Sequence, residues 1–289
     1  MARRGKFRPN VVTWDQIDEH SSLPNTDPSL NKRLILAEGD SWFTIAGIPT
    51  SNLLYSFRFK KMTMIVNCAM PGDTIKHISE IEGNHVFRTA LSPDGYKWDL
   101  ILLSGGGNDL IDAAGKLLLP RQKRGAKSMK KAQDYCDAER LDELIASIQQ
   151  GYHRLVGLRD ADGSPAKNKP IVVHTYDYPV PRNSLARFFS VPLSGPWLYP
   201  AVVKAEIPKK DWIKVSKYLI DKLAEGILDL QKGNKLKNFH VVDTRNTLKK
   251  AALGTTGDNG DWLNEIHPNT DGYKKLARAI EGKLTPLLE

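Results

Sequence analysis

The stretch RLILAEGDSWF, residues 33–43, joins an apolar run to a short polar turn. Its consecutive apolar residues are typical of a strand that is buried on both faces of a parallel sheet. Gly39, Asp40 and Ser41 follow at the carboxyl end of this predicted strand, which is the edge where open α/β sheets bind their ligands. Taken alone, Ser41 is more typical of a helix N-cap or a turn than of a nucleophile.

Four further apolar runs follow along the chain, and they are rich in β-branched residues. They are TMIVNCA (63–69), DLILLS (99–104), PIVVHTY (170–176) and FHVVDT (239–244). Segments with apolar residues three and four positions apart indicate helices at 138–160, 211–233 and 271–288. This alternation predicts right-handed crossovers and a three-layer α/β/α domain.

The length of 289 residues predicts a single domain at residues 31–289, preceded by an N-terminal extension at residues 1–30. Two insertions interrupt the alternation of strands and helices, at about 112–135 and 179–212. The first contains a basic stretch that indicates a solvated loop. The second combines six prolines with several aromatic residues, and it is interpreted either as a satellite core or as a cap over a pocket.

Composition excludes several functional classes. The net charge of +9 is not accompanied by a nucleic-acid-binding motif, so no nucleic-acid partner is predicted. Cys68 and Cys136 fit neither a disulfide scaffold nor the spacing of metal ligands. No apolar run has the length of a signal peptide or of a membrane span, so we expect a cytoplasmic location and no integral membrane segment. The sequence does not define an oligomeric state.

Three more polar segments lie at the same predicted edge of the sheet as Ser41. They are MPGDTI (70–75), SGGGND (104–109) and NEIHPN (264–269). Acyl transfer requires a hydroxyl nucleophile, a base and hydrogen-bond donors for the developing oxyanion. Ser41 as nucleophile and His267 as base would meet this requirement, with an oxyanion hole formed by the Ser41 and Gly72 amides and the Asn108 side chain.

These residues and their order resemble the SGNH hydrolases, also called the GDSL esterase/lipase family. The matching blocks are Gly39-Asp40-Ser41, Gly72, Gly106-Gly107-Asn108-Asp109 and His267-Pro268. The resemblance implies a flavodoxin-like, five-stranded parallel sheet of order 2-1-3-4-5. It also implies hydrolysis of a small-molecule, lipid or carbohydrate ester, or of a thioester, through an acyl-enzyme and without a metal or another cofactor.

Two positions depart from the family pattern. Trp42 replaces the leucine of the GDSL pattern, which exchanges one packing residue for another. Asn264 stands three residues before His267, where the family pattern has aspartate; its side-chain oxygen can orient an imidazole but supplies no charge. The orienting group is therefore Asn264, Asp261, Glu265 or a backbone carbonyl.

The asparagine leaves two functions open. The first is a serine hydrolase, and the second is a catalytically weakened SGNH fold that binds an acylated ligand or a partner protein. Asp40 and Trp42 are predicted substrate contacts because they flank Ser41. His174 leaves the fourth strand at the same edge and is interpreted either as a strand-end histidine or as a substrate contact. The other histidines lack the spacing of metal ligands, and no metal site is predicted.

Overall fold

The central sheet of the computed structural model is parallel and lies between helices. The structure describes residues 6–44, 52–80, 83–124, 129–188 and 191–289. Within them the strands are β1 (Asn10–Val12), β2 (Arg33–Gly39), β3 (Thr63–Asn67), β4 (Leu100–Ser104), β5 (Ile171–His174), β6 (Ala186–Phe188), β7 (Val191–Ser194) and β8 (Phe239–Val242). Residues 125–128 and 189–190, which belong to the two predicted insertions, and residues 1–5 of the predicted extension lie outside the described residues.

The sheet confirms the predicted fold and adds one strand to it. Its order is β1-β3-β2-β4-β5-β8, so the five predicted strands have the expected order 2-1-3-4-5. The sixth strand, β1, comes from the predicted N-terminal extension and pairs in parallel with β3, from Asn10 opposite Met64 to Val12 opposite Val66. Three residues at the edge of a sheet are too few to produce a recognisable apolar pattern, which explains why β1 was not predicted.

Helices cover the sheet. They are α1 (Ser41–Thr44), α2 (Leu53–Ser56), α3 (Ile75–Ser79), α4 (His85–Leu91), α5 (Gly107–Leu117), α6 (Ala138–Arg159), α7 (Leu198–Lys204), α8 (Trp212–Asp229) and α9 (Thr270–Leu288). In the central strand β2, Ile35, Leu36 and Ala37 point alternately to opposite faces, and all three are fully buried. Both faces of the sheet are therefore packed, as the continuous apolar runs predicted. Among the described helices, none is long and apolar enough to cross a membrane.

Both predicted insertions contain regular structure. The segment predicted to begin at about residue 112 starts inside α5, and the chain then returns through an antiparallel bridge between Leu118 and Cys136. The insertion at 179–212 forms the antiparallel pair β6 and β7 and then α7. Because α7 packs against α5, this insertion lies beside the helix that carries Asn108.

Candidate active site

The turn after β2 places Ser41 at the carboxyl edge of the sheet, as the first residue of α1. Glycine is needed at position 39 because a Cβ there would lie 2.3 Å from the backbone oxygen of Ser104 in β4. Asp40 closes the turn: its N–H donates to Ser104 O at 3.1 Å, and its Oδ1 accepts the Trp42 N–H at 3.0 Å. Close packing of β2 against β4 thus makes the chain turn immediately before Ser41.

The carboxylate of Asp40 is bonded within the protein. It is buried, and it accepts hydrogen bonds from Ser104 Oγ at 2.8 Å and from the hydroxyl of Tyr176. Burial raises the pKa of Asp40 to about 6, although these donors act in the opposite direction. Asp40 therefore stabilises the turn through both of its carboxylate oxygens, and Tyr176 is a site residue that the sequence reasoning missed.

Ser41, His267 and Asn264 form a continuous row of hydrogen bonds. Ser41 Oγ lies 2.8 Å from His267 Nε2, and His267 Nδ1 lies 3.0 Å from Asn264 Oδ1. Asn264 Oδ1 also accepts the backbone N–H groups of Ile266 at 3.1 Å and His267 at 2.9 Å, which identifies this atom as the oxygen of the amide. His267 Nδ1 must then be the protonated nitrogen, which leaves Nε2 free to accept the proton of Ser41.

The two other acidic candidates for the orienting group have different partners. Asp261 accepts the Lys249 N–H at 2.5 Å and pairs with Lys275 Nζ at 2.6 Å. The Glu265 carboxylate accepts four backbone N–H groups, from Arg182, Trp197, Leu198 and Tyr199. Of the four alternatives, Asn264 is the side chain that contacts the imidazole.

The imidazole of His267 is buried and uncharged. It is 3% exposed, and burial lowers its pKa to about 3. The ring of Trp197 packs against it nearly at right angles, with 5.2 Å between the ring centroids. A neutral imidazole can accept the proton of Ser41, but the lowered pKa makes it a weaker base, and the imidazolium formed after proton transfer would have no carboxylate next to it.

The segment after β3 runs beside β2 and carries Gly72 to the same edge. Met70 N donates to Gly39 O at 3.0 Å, and Gly72 follows in the left-handed region with φ +85°. Asn108, in the first turn of α5, donates through Nδ2 to Asp73 O at 2.9 Å and so joins the two segments. The amide nitrogen of Asn108 carries a second hydrogen that a substrate oxygen could accept.

An apolar cleft adjoins Ser41 and Asn108. Its enclosed volume is about 30 Å³, and besides Asp40, Ser41, Gly107 and Asn108 it is lined by Trp42, Leu110, Ile111, Tyr176, Asp177, Pro179, Leu198, Ser216, Leu219, Ile220, Trp262 and Ile266. Its polar side chains are largely bonded within the protein. Asp177 accepts the N–H of Leu248 at 2.6 Å, and Ser216 Oγ donates to Pro179 O at 2.6 Å. The cleft therefore presents a mainly aliphatic and aromatic surface.

His174 lies behind the cleft. It is fully buried, its ring stacks on Trp42 with 5.4 Å between centroids, and Nδ1 donates to Thr175 O at 2.8 Å. Burial lowers the pKa of His174 to about 4, so the ring is neutral. Trp42 lines the cleft, so its predicted contact with substrate stays a prediction, whereas His174 packs on Trp42 and is not part of the cleft lining.

A cluster of three or more histidine, cysteine, aspartate or glutamate side chains that could hold a metal ion does not occur within the described ranges.

The sequence reasoning missed the contributions of Trp197 and of the α8 residues Leu219 and Ile220. Tyr176 could have been found, because it follows β5 at the same edge as Ser41. The α8 contribution depends on how the helices pack, and no local pattern in the sequence reports it.

Comparison with known proteins identifies the family of the chain. The sequence profile described as GDSL-like Lipase/Acylhydrolase matches residues 35–280. None of the curated protein sequences is significantly similar to the chain. Similar solved structures include an extracellular lipase from Streptomyces rimosus, with 16% identity, a TM-score of 0.46 and coverage of 86% of this chain and 99% of that one. A phospholipase A1 from Streptomyces albidoflavus has 13% identity, a TM-score of 0.45 and coverage of 87% and 99%.

An acetylxylan esterase from Geobacillus stearothermophilus is also similar, with 14% identity, a TM-score of 0.44 and coverage of 88% of this chain and 94% of that one. The family match covers most of the chain and includes Ser41, Gly72, Asn108 and His267. The chain therefore belongs to the GDSL-like lipase/acylhydrolase family and is an ester-hydrolysing enzyme of the esterase and lipase type.

Proposed function

We propose that the enzyme hydrolyses a carboxylic ester, or a thioester, through an acyl-enzyme formed on Ser41. The observation that carries this proposal is the row of hydrogen bonds from Ser41 Oγ to His267 Nε2 and from His267 Nδ1 to Asn264 Oδ1. A hydroxyl becomes an effective nucleophile when an oriented base can remove its proton during attack. The three residues have the mutual distances that this step requires.

In the acylation step, Ser41 Oγ attacks the carbonyl carbon while its proton moves to His267 Nε2. The tetrahedral intermediate then collapses, the bond to the leaving oxygen or sulfur breaks, and the imidazolium returns the proton to the leaving group. In the second half of the reaction, a water molecule loses a proton to His267 and attacks the acyl-enzyme. The acid is released and Ser41 regains its proton.

The negative charge on the carbonyl oxygen would be stabilised by the backbone N–H groups of Ser41 and Gly72 and by Asn108 Nδ2. Two features support this assignment: Gly72 follows a segment that is bonded to the end of β2, and Asn108 lines the same cleft as Ser41. The hydrogen bond from Asn108 to Asp73 O also fixes the amide group before substrate binds. Donors that are positioned in advance lower the reorganisation cost of the transition state.

The aliphatic and aromatic lining of the cleft, rather than its small enclosed volume, supports an acyl group longer than acetyl. Burying one additional methylene group in such a surface contributes about 0.8 kcal/mol, or about a fourfold gain in kcat/KM per methylene until the cleft is filled. We therefore propose an ester with an aliphatic acyl chain as the substrate class. Esters of a carbohydrate alcohol are compatible with this proposal, because the cleft is proposed to bind the acyl chain and not the alcohol.

The test compares wild type, Ser41→Ala and a control, Ser29→Ala, on p-nitrophenyl acetate, butyrate and octanoate. Ser29 is exposed and precedes the amino-terminal end of β2, whereas Ser41 follows the carboxyl-terminal end of the same strand. We expect Ser41→Ala to lower kcat by at least about 1000-fold, the control to match wild type, and kcat/KM to rise from acetate towards butyrate. A fluorophosphonate should label the wild type at Ser41.

Activity retained in Ser41→Ala would refute the proposed nucleophile. A folded wild type without activity on any of the three chain lengths would instead favour a binding function.

A further inference from the structure

The Glu265 carboxylate anchors the segment 197–199 to the loop that carries His267. Glu265 Oε1 accepts the N–H groups of Tyr199 at 2.7 Å and Arg182 at 3.1 Å, and Oε2 accepts those of Leu198 at 2.9 Å and Trp197. Because each oxygen accepts two N–H groups, neither position can be taken by a donor. A glutamine would direct its NH₂ group at two of these N–H groups, so the site is specific for a carboxylate.

This anchor is continuous with the catalytic loop. Glu265 is fully buried, follows Asn264 directly and precedes His267 by two residues. The buried Arg182 side chain reinforces the same loop by donating to Asn264 O at 2.5 Å and to Gly257 O at 2.6 Å. The position of the segment 197–199 is therefore fixed relative to the imidazole itself.

The Trp197 ring is held on two sides. The ring of His267 packs against it at an interplanar angle of 79°, and a Cβ added at Gly195 would lie 2.6 Å from its six-membered ring. The residue nevertheless keeps part of its surface exposed to solvent, whereas the neighbouring Leu198 is buried and lines the apolar cleft. The two consecutive side chains therefore face different parts of the site.

The reaction gives different roles to the side of the site next to His267, where Trp197 lies, and to the apolar cleft, which Leu198 lines. During acylation the imidazolium of His267 must reach the leaving oxygen to protonate it, so the leaving group has to lie next to the imidazole. Trp197 is in contact with that imidazole, while Leu198 contributes to the cleft proposed for the acyl chain. An alcohol with an apolar surface would pack against the partly exposed indole as it departs.

We propose that Trp197 determines the selectivity of the enzyme for the leaving group, and that Glu265 is the positioning residue that holds Trp197 beside His267. The inference rests on the proposed esterase function. It assigns selectivity for the alcohol to Trp197, separately from the acyl-chain cleft to which Leu198 of the same insertion contributes. The preferred leaving group is an alcohol that carries an aromatic or other apolar group.

The experiment measures kcat/KM for benzyl butyrate and for ethyl butyrate, which share an acyl group, by following acid release at constant pH. In Trp197→Ala we expect the benzyl-to-ethyl ratio to fall about three- to tenfold, the range of a lost aromatic pair. Trp197→Phe should restore most of the ratio. Glu265→Gln should lower it as Trp197→Ala does, provided that urea unfolding shows the variant to be folded.

Two controls separate selectivity from general damage. Val203→Ala, at a residue 46% exposed on the same helix α7, should keep the wild-type ratio. Leu198→Ala should change the preference between butyrate and octanoate while leaving the benzyl-to-ethyl ratio within twofold. A ratio within twofold of wild type in Trp197→Ala overturns the proposal, as does an equal fall in both substrates. Failure of the proposed function would be recognised separately, by a folded wild type that hydrolyses none of the p-nitrophenyl esters or by activity that persists in Ser41→Ala.

Discussion

Replacing Asn264 by aspartate would add a carboxylate next to the imidazole without changing the shape of the side chain. Asn264 Oδ1 accepts three N–H groups, from His267 Nδ1 and from the backbone of His267 and Ile266, and a carboxylate oxygen can accept the same three. Asn264→Asp therefore changes charge while keeping geometry, and it isolates the effect of the departure from the family pattern.

The size of the expected effect on kcat/KM follows from the distance of 3.0 Å between His267 Nδ1 and Asn264 Oδ1. A carboxylate and an imidazolium whose charges are centred about 4 Å apart attract by roughly 4 kcal/mol at an effective dielectric constant near 20. This attraction exists only when His267 is protonated, so it stabilises the transition state and not the ground state. With the proton partly transferred, we expect kcat/KM to rise by about 10- to 100-fold. Burying the new carboxylate should lower the free energy of unfolding by roughly 1–3 kcal/mol.

The assay is the pH dependence of kcat/KM for p-nitrophenyl butyrate, with urea unfolding in parallel. Catalysis requires neutral His267, whose pKa is lowered to about 3 in the wild type. The carboxylate raises this pKa, so the loss of activity in acid must move to higher pH in Asn264→Asp. Burial raises the pKa of Glu265 to about 7, and the new carboxylate raises it further, so an NMR titration of the His267 imidazole in both proteins assigns the acid limb.

The matched variant Asp261→Asn removes a carboxylate that pairs with Lys275 and should leave kcat/KM within about twofold. Asn264→Ala should lower turnover at least about tenfold, because the ring loses its orienting acceptor. A folded Asn264→Asp enzyme with unchanged or lower kcat/KM at its optimum pH would refute the electrostatic reasoning. Unchanged turnover in Asn264→Ala, together with a tenfold loss in Asp261→Ala, would refute the assignment of Asn264.

Three further predictions concern the oxyanion hole, the turn before Ser41 and the apolar cleft. Asn108→Ala should lower kcat by about 100- to 1000-fold with a smaller change in KM; a loss below tenfold in steady-state kinetics would exclude Asn108 as a donor. Tyr176→Phe removes a hydrogen bond to the buried Asp40 and should lower the free energy of unfolding in urea by about 2 kcal/mol, and a loss under 0.5 kcal/mol would show that this bond is unimportant. Ile111→Trp narrows the cleft and should lower the octanoate-to-acetate ratio of kcat/KM about tenfold, so an unchanged ratio would place the acyl chain elsewhere.

The strands could be predicted because burial on both faces produces a direct sequence signal. The runs at 33–38, 63–69 and 99–104 contain few polar residues, since each side chain meets a helix on one face or the other. β1 gives no such signal: it consists of three residues at the sheet edge and depends on backbone pairing with β3. Its pairing partner lies more than fifty residues away, so no pattern of neighbouring residues indicates the pairing.

The site could be predicted as far as it depends on the order of strands. Ser41, Gly72 and Asn108 follow strands that are adjacent in the sheet, so topology alone brings them to one edge. The side chain that orients His267 could not be chosen from spacing. Asn264 and Glu265 are consecutive, and their different roles arise from the segment 197–199, whose N–H groups reach Glu265 from about 67 residues away.

The use of asparagine at 264 is consistent with the burial of Glu265 beside it. Four N–H groups stabilise the Glu265 carboxylate, yet burial still raises its pKa to about 7, so this loop already holds one charge at considerable cost. A carboxylate at 264 would add a second buried negative charge one residue away and raise both pKa values further. The loop therefore uses the carboxylate of Glu265 to position Trp197 and Leu198, and it orients the imidazole with a neutral oxygen. On this reasoning the enzyme gives up part of the electrostatic assistance at His267 in exchange for a fixed wall beside the leaving group.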